Sequence, residues 1–257
     1  MAAAVPGYAA DGAATEVEIL VDDAYKPYTY TNETGAPTGI YVRVLEEIDA
    51  HLDDYDIVLK GVPWKRAIDQ IETGEAFGVA PPYYFPDERP GIHPYSEKIL
   101  EEAVVAYCRE EVLDTPRPDW PEDYAGLTVG NNDGFETPGP AFFEMVDAGK
   151  IQLQEAPSTE LNLRKLAMGR VDCYVNARAS ILSNLAALKA AGDYDSDLTP
   201  LKESAVVNKN WGYVGFSRAN NPEYKDDFIA ALNAEIREMR ESGRIEEIFM
   251  DFLANEG

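Results

Sequence analysis

The spacing of apolar residues predicts a regular alternation of strands and helices in the first third of the chain. Apolar and polar residues alternate over residues 16–21, whereas Val42, Leu45, Ile48 and Leu52 recur at the spacing of a helix. The pattern predicts strand, helix, strand, helix and strand in turn, at residues 16–21, 42–52, 55–60, 63–74 and 76–80. Strands that alternate with helices in this way form a parallel sheet, so the predicted fold class is α/β.

A long apolar strand pattern at residues 103–108, which we expect to cross between two lobes, follows. After it, the second half of the chain repeats the alternation of strands and helices. The pattern predicts strands at residues 127–130, 151–154, 171–175 and 211–217, and helices at residues 140–148, 158–168 and 179–191. Two amphipathic helices, at residues 222–241 and 244–253, complete the chain. With 257 residues, 45% of them apolar, the chain is long enough for two such units.

The charge of the chain limits the partners that it can bind. Its 47 acidic and 22 basic residues give a formal net charge of −25, which repels the phosphates of nucleic acids and anionic lipids. The acidic residues are scattered in short groups, such as Asp53-Asp54, Glu101-Glu102, Glu110-Glu111 and Glu246-Glu247. We therefore expect no nucleic acid partner, and we predict a diffuse, hydrated acidic surface of the kind that keeps proteins soluble in strong salt.

Cysteine spacing and sequence motifs provide no sign of a metal or cofactor. Cys108 and Cys173 lie far apart within apolar stretches, which favours two buried thiols, with a single disulfide as the alternative. The acidic run at residues 193–197 departs from a calcium loop, because Leu198 stands where the loop needs Gly and Ser204 where it needs Glu. The motifs GxSxG, HExxH and the P-loop do not occur. No cofactor and no bound metal are expected.

The N-terminal segment, residues 1–15, is small and rich in alanine. We interpret it as a disordered remnant of an export signal and exclude it from the fold prediction. No apolar run in the sequence approaches the roughly 20 residues that a membrane-spanning helix needs.

Four short motifs give the chain a family resemblance. They occur in this order: Asp22-x-x-Tyr25-x-Pro27-Tyr28, Pro63-Trp64-Lys65-Arg66 with Gly74-Glu75, Asp87-Glu88-Arg89, and Gly169-Arg170-Val171-Asp172. Together with the final helices around residues 236–248, they resemble the polar amino-acid (type II periplasmic) solute-binding family, family 3. The resemblance extends over about residues 16–253.

This resemblance implies a two-lobed α/β fold of the type II periplasmic-binding-protein kind, with two hinge strands that cross between the lobes. We expect residues 16–104 and 216–257 to form lobe one and residues 105–215 to form lobe two. The ligand would lie in the cleft, and the lobes would close around it by a hinge movement. The resemblance also implies a monomer in the periplasm that binds a small carboxylate or zwitterionic ligand and delivers it to an ABC transporter permease.

In lobe one, Arg89 is the leading candidate for contact with the ligand, because the matching Arg of the family forks onto a ligand carboxylate. The resemblance implies aromatic cleft walls at Tyr25, at Trp64 and in the segment Tyr83-Tyr84-Phe85, whose members the sequence does not distinguish; core packing is the alternative role of these rings. Asp22 would hold a cationic group or cap a turn.

In lobe two, residues 131–137 resemble the family's glycine loop, with Gly134, Phe135 and Thr137 as candidate ligand contacts. Asp133 and Glu136 depart from that pattern because they bring negative charge to a loop that binds an anion.

A second departure concerns the group that binds the ligand's ammonium. Family members that bind amino acids carry an Asp where this chain has Ala177, and its neighbour Asn176 can donate and accept hydrogen bonds but cannot neutralise an ammonium. Either Asp22, Asp133 or Glu136 compensates, or the ligand is not an ordinary α-amino acid. A zwitterion with a delocalised or quaternary cation, and an aromatic or keto carboxylate, both fit the aromatic residues.

The predicted function is solute capture for an ABC importer, without catalysis. A sensor ectodomain built from the same two lobes is a related alternative. A dehydratase-like enzyme on the same fold is the alternative from another class, and Asp133 or Glu136 would then be its general acid.

Overall fold

The computed structural model describes residues 14–255. Its strands are β1 Thr15–Asp22, β2 Ala24–Tyr25, β3 Thr29–Thr31, β4 Pro37–Thr38, β5 Tyr55–Val62, β6 Gly78–Ala80, β7 Ile92–Tyr95, β8 Leu100–Arg109, β9 Thr128–Asn132, β10 Gln152–Ala156, β11 Cys173–Ala177, β12 Leu201–Gly212 and β13 Gly215–Ser217. Its α-helices are α1 Ile40–Asp49, α2 Trp64–Thr73, α3 Pro140–Asp147, α4 Thr159–Ala167, α5 Arg178–Ala190, α6 Lys225–Glu241 and α7 Arg244–Asn255. The predicted export-signal remnant lies, up to residue 13, outside the described residues.

Lobe one is built on a five-stranded sheet in the order β5-β1-β6-β13-β7. Strand β1 runs parallel to β5 and β6, whereas β13 runs antiparallel to β6 and β7. Helices α1, α2, α6 and α7 contact this sheet or one another. Because the helices supply apolar faces to a sheet whose central strands are apolar on both sides, they bury one continuous core.

Lobe two is built on a second five-stranded sheet in the order β10-β9-β11-β8-β12. Strand β9 runs parallel to β10 and β11, and β8 pairs antiparallel with β11 and β12. Helices α4 and α5 contact each other and strands of this sheet, and the sheet has an apolar cluster on each of its faces.

The two lobes are joined where β8 begins and where β12 ends. Ile99, just before β8, packs in the core of lobe one, and its N–H donates to the carbonyl of Gly212 at 2.9 Å. Three residues after Gly212 the chain enters β13 of the lobe-one sheet. The prediction of a two-lobed α/β fold with crossing strands is confirmed. The exact residue limits of the lobes, near 104 and 216, stay a prediction.

Two aspects of the fold differ from the sequence prediction. Cys108 and Cys173 form a disulfide, so the prediction of two free thiols was wrong. The physical reason is strand pairing: β11 lies antiparallel to β8 in the register that sets Cys173 directly opposite Cys108. The sequence also failed to predict β7, most of β12 and the small sheet β2-β3-β4.

None of the helices within residues 14–255 is long and apolar enough to span a bilayer.

Candidate functional site

A pocket lies between the lobes at the carboxyl end of β1. From lobe one and the segment that follows β6, its lining residues are Asp22, Tyr25, Trp64, Pro81, Tyr83, Phe85 and Arg89; from lobe two they are Phe135, Glu136 and Thr137. Open parallel sheets place their ligand sites at this edge, since the loops that follow the strands converge there. The pocket thus brings together most of the residues that the sequence singled out.

Local structure explains why the lobe-one residues point to one place. Asp22 is the last residue of β1, and Trp64 is the first residue of α2, which follows Pro63 and β5. Pro81 directly follows β6. Because β5, β1 and β6 are adjacent and parallel, all three residues lie at the same edge of the sheet.

Arg89 is the charged centre of the pocket. Its side chain is buried, with 5% of the residue exposed. Within the described residues, its guanidinium makes one hydrogen bond: Nη2 donates to the carbonyl oxygen of Gly134 in lobe two at 3.0 Å. The guanidinium carbon lies 5.4 Å from the ring centre of Trp64 and 5.9 Å from that of Phe85. Burial lowers the pKa of Arg89, and the negative charge of Glu136 partly opposes this effect.

Phe135 of lobe two packs against two aromatic residues of lobe one. Its ring meets Tyr25 edge-on, with centres 5.3 Å apart, and meets Trp64 with centres 5.9 Å apart at an interplanar angle of 71°. Phe135 therefore belongs to the core cluster of lobe one although its chain segment belongs to lobe two. Edge-to-face contacts of this kind are favourable and leave ring faces available to a ligand.

Of the three aromatic candidates after β6, Tyr83 and Phe85 line the pocket and Tyr84 does not. The Tyr84 residue is 58% exposed, and its ring packs against Tyr95 and Tyr213. Tyr84 thus lies on the outer side of this segment, and Tyr83 and Phe85 are its pocket-facing members.

Two carboxyl groups face the pocket together with Arg89. Burial raises the pKa of Asp22 to about 8, although the Ala24 N–H, which donates to Asp22 Oδ1 at 2.9 Å, acts in the opposite direction. Asp22 thus combines a turn-capping hydrogen bond with a place in the pocket lining. Burial also raises the pKa of Glu136, and the Arg89 guanidinium partly opposes that rise.

The lobe-two loop contributes through its backbone as well as its side chains. Gly134 has a φ of 73°, and its carbonyl accepts from Arg89, while its N–H points to Glu155 Oε1 at 3.4 Å. Thr137 lines the pocket, and its hydroxyl lies 3.5 Å from Asn131 Oδ1.

Asn176 does not line the pocket. It is fully buried, and its Nδ2 donates to Thr159 Oγ1 at 3.0 Å and to the Tyr174 hydroxyl at 2.6 Å. Its Oδ1 accepts from the N–H of Ala177. Both the amide nitrogen and the amide oxygen of Asn176 are therefore hydrogen-bonded within lobe two. Asn176 does not lie at the ligand position that the sequence suggested.

Glu102 is the residue that sequence reasoning missed. It was assigned with Glu101 to the hydrated surface, yet Glu102 is 1% exposed and accepts from three phenol hydroxyls. The sequence contained one indication of this burial, the alternation along β8. Glu102 lies on the same face of the strand as the buried Val104, Ala106 and Cys108, and Glu101 lies on the opposite face.

Fold and pocket together define a two-lobed solute-binding protein. The sequence profile described as "Bacterial extracellular solute-binding proteins, family 3" matches residues 17–255, so the chain belongs to this family, as the motifs indicated. No curated protein sequence matches the chain.

Solved structures with the same fold cover several functions. A histidine kinase sensor domain similar to periplasmic binding proteins has a TM-score of 0.75 at 17% identity, and covers 93% of this chain and 96% of its own. A structure from work on glutathione import through GshT and the cystine importer TcyBC of Streptococcus mutans has a TM-score of 0.74 at 17% identity, with 94% and 96% covered. The ancestral amino acid-binding protein AncCDT-1, a precursor of cyclohexadienyl dehydratase, has a TM-score of 0.68 at 12% identity, with 92% and 94% covered. At such identities the likeness concerns the fold.

Proposed function

We propose that this protein is the extracytoplasmic binding component of an ABC importer and captures a small carboxylate or zwitterionic solute by closure of its lobes. The observation that carries the proposal is the buried Arg89 guanidinium, which lies between aromatic faces and, within the described residues, makes one hydrogen bond, to a lobe-two carbonyl. A guanidinium has five N–H donors in a fork that matches a carboxylate, so most of its donor capacity is open to a ligand.

The remaining pocket groups support a zwitterion rather than a simple anion. Asp22 and Glu136 give the pocket two acidic groups, and Trp64 and Phe135 give it aromatic surfaces. Aromatic faces attract quaternary and delocalised cations, and the carboxyl groups add to that attraction when ionised. Ala177 supplies no carboxylate for an α-ammonium. We therefore favour a ligand whose positive charge is delocalised or quaternary, as in betaines and ectoines, and which carries a carboxylate for Arg89.

Two other functions use the same fold. A sensor ectodomain would bind the same class of solute, and the similarity to a histidine kinase sensor domain supports it as the related alternative. A dehydratase-like enzyme would use Glu136 as its general acid, since Glu136 lines the pocket and burial raises its pKa. We favour binding without catalysis, because the family is one of solute-binding proteins.

A thermal-shift screen across amino acids, betaines, ectoines and small carboxylates tests the proposal. A ligand that binds the folded state raises the melting temperature in proportion to the logarithm of its concentration over its Kd. We expect at least one zwitterion or carboxylate to do so and to be recovered chemically unchanged. Recovery of a dehydrated product would favour the enzyme instead, and a screen without any stabilising compound would contradict solute capture.

A further inference from the structure

Glu102 is a buried carboxylate that is bound by phenols. Its Oε2 accepts from the hydroxyls of Tyr25 at 2.6 Å and Tyr83 at 2.7 Å, and its Oε1 accepts from the hydroxyl of Tyr41 at 2.7 Å. The Tyr25 and Tyr83 hydroxyl oxygens lie 3.2 Å apart. We call these four residues the Glu102 cluster.

The Glu102 cluster stands where the two lobes join. Tyr25 and Tyr41 belong to the hydrophobic core of lobe one, whereas Tyr83, which lies between β6 and β7 of the lobe-one sheet, packs its ring in a core cluster of lobe two. Glu102 itself lies near the start of β8, the strand that carries the chain from one lobe into the other. The carboxylate therefore binds two phenols of the lobe-one core and one phenol whose ring packs against lobe two.

The end of β12 packs directly against this cluster. Tyr83 forms an isolated β-bridge with Gly212, the last residue of β12. A Cβ atom at Gly212 would lie 2.0 Å from the Tyr41 hydroxyl oxygen, so only glycine leaves room for that hydroxyl to reach Glu102. The hinge segments and the cluster thus fit each other sterically.

The same cluster reaches the ligand pocket. Tyr25 and Tyr83 both line the pocket, and the Tyr25 ring contacts Phe135 of lobe two. A change that releases their hydroxyl groups from Glu102 would allow both rings to shift, and with them the shape of the pocket.

Within residues 14–255, no ion pair balances the charge of this carboxylate. The groups that face it are the phenols of Tyr25, Tyr41 and Tyr83; Tyr28 lies nearby, and burial together with the Glu102 charge raises the pKa of Tyr28. From β12, Asn210 lies opposite Glu102 in the strand register.

Burial raises the pKa of Glu102 to about 7, and the three phenol hydrogen bonds act against that rise. Burial of an ionised carboxylate without a cation costs stability, so stability does not explain a glutamate here.

We propose that Glu102 is a positioning residue that couples the aromatic wall of the pocket to the hinge, so that opening of the lobes withdraws lobe two from the Tyr83 ring and admits water to Glu102. This inference rests on the proposed function, in which the lobes open and close. It goes beyond that function because it assigns the coupling to one side chain that does not line the pocket.

The inference predicts a pH-dependent hinge. In the closed form the buried Glu102 holds its proton up to about pH 7, whereas in an open form that admits water its pKa would fall towards the ordinary value near 4.5. The closed form thus binds a proton more tightly than the open form. By linkage, the closed fraction should decrease as the pH rises through this range and should stay constant above it.

Pulsed electron spin resonance on the ligand-free full chain tests this directly. Nitroxide labels at Asp69→Cys on α2 and Glu144→Cys on α3 report the distance between lobes; both sites are exposed, and the native cysteines are joined in a disulfide. Distances are measured at pH 5.5, 7.0 and 8.5 in the label background and with Glu102→Gln added. Tyr83→Phe serves as a second variant, and Tyr124→Phe, which loses a partly buried hydrogen bond from its hydroxyl to Ser204 within lobe two, serves as the matched control.

We expect the short-distance population to decrease from pH 5.5 to pH 8.5 in the label background and in Tyr124→Phe. In Glu102→Gln this pH dependence should become smaller but should not vanish, because Asp22 in the pocket also ionises in this range, and Tyr83→Phe should show a longer mean distance at pH 5.5. A label background without pH dependence, or a Glu102→Gln protein with an unchanged one, would overturn the inference. Because no ligand is used, a failure here is distinct from a failure of the proposed solute capture.

Discussion

At the residue scale, the pocket combines one guanidinium with two carboxyl groups whose protonated forms are favoured by burial. Arg89 and Glu136 come from different lobes, so the electrostatic field within the pocket depends on closure. A ligand carboxylate at Arg89 would also lie near Glu136, which opposes it. A ligand with a positive group would instead gain from Glu136.

Substitution of Glu136 by Gln should distinguish these two ligand classes. Removal of one nearby negative charge in a partly buried site changes a charge interaction by about 1–2 kcal/mol, or roughly tenfold in Kd. We expect a simple carboxylate to bind more tightly to Glu136→Gln and a zwitterion with an accessible cation to bind more weakly. Calorimetric titration measures the change, with the exposed Glu144→Gln of the same lobe as control. An unchanged Kd in both variants would contradict a contribution of Glu136 to ligand binding.

The pocket residues differ in how far the sequence could reveal them. Arg89, Trp64 and Tyr25 lie in local motifs, and the structure places all three in the pocket lining. Asn176 looked available because its burial depends on Thr159 and Tyr174, which come from two different elements. Glu102 looked exposed because its three phenol partners lie 19 to 77 residues away in the chain. Local sequence patterns give no information about hydrogen-bond partners that are so distant in the chain.

At the scale of elements, the sequence predicts the parallel strands better than the antiparallel edge strands β7 and β12. Strands β1 and β5 contain apolar runs next to clear helix patterns, and both were predicted. Most of β12 was missed because this strand lies at the edge of its sheet and has many polar residues at partly exposed positions. Its pairing with β8 also contains two register shifts. Such a strand lacks the strict alternation that a sequence pattern detects.

Helix α2, which carries Trp64, depends on the glycine at its end. Gly74 has a φ of 81°, and a Cβ atom there would lie 2.9 Å from the Cβ of Ala219. Gly74→Ala should therefore lower the free energy of unfolding by more than the roughly 1–2 kcal/mol that the left-handed conformation alone costs. Gly149→Ala is the matched control, since Gly149 has a φ of 67° and an added methyl group there would meet no atom within 4 Å. Equal losses in urea unfolding would contradict the steric part of this explanation.

At the scale of the whole molecule, the charge of −25 and the buried carboxyl groups act on stability in the same direction. Burial raises the pKa of Asp22 to about 8 and that of Glu102 to about 7. In the unfolded chain both carboxyl groups have an ordinary pKa of about 4. Between these values the unfolded chain loses the protons that the folded protein retains, so ionisation opposes folding as the pH rises.

The melting temperature should therefore decrease from pH 5.5 to pH 8.5, as measured by differential scanning calorimetry. The slope should become smaller in Asp22→Asn and in Glu102→Gln, because each variant removes one carboxyl group that ionises in this range. Added salt should raise the melting temperature most at pH 8.5, where self-repulsion is largest. A melting temperature that rises steadily with pH would contradict this assignment.

We propose that Arg89 binds the anionic group of a solute between the two lobes. The most direct test of this claim is calorimetric titration of the best compound from the ligand screen into the unaltered protein, Arg89→Ala and the exposed control Arg66→Ala of the same lobe. We predict binding that is unchanged in Arg66→Ala and lost, or weakened at least a hundredfold, in Arg89→Ala, because a carboxylate would be buried without its guanidinium partner. Equal affinity in all three proteins would contradict the claim.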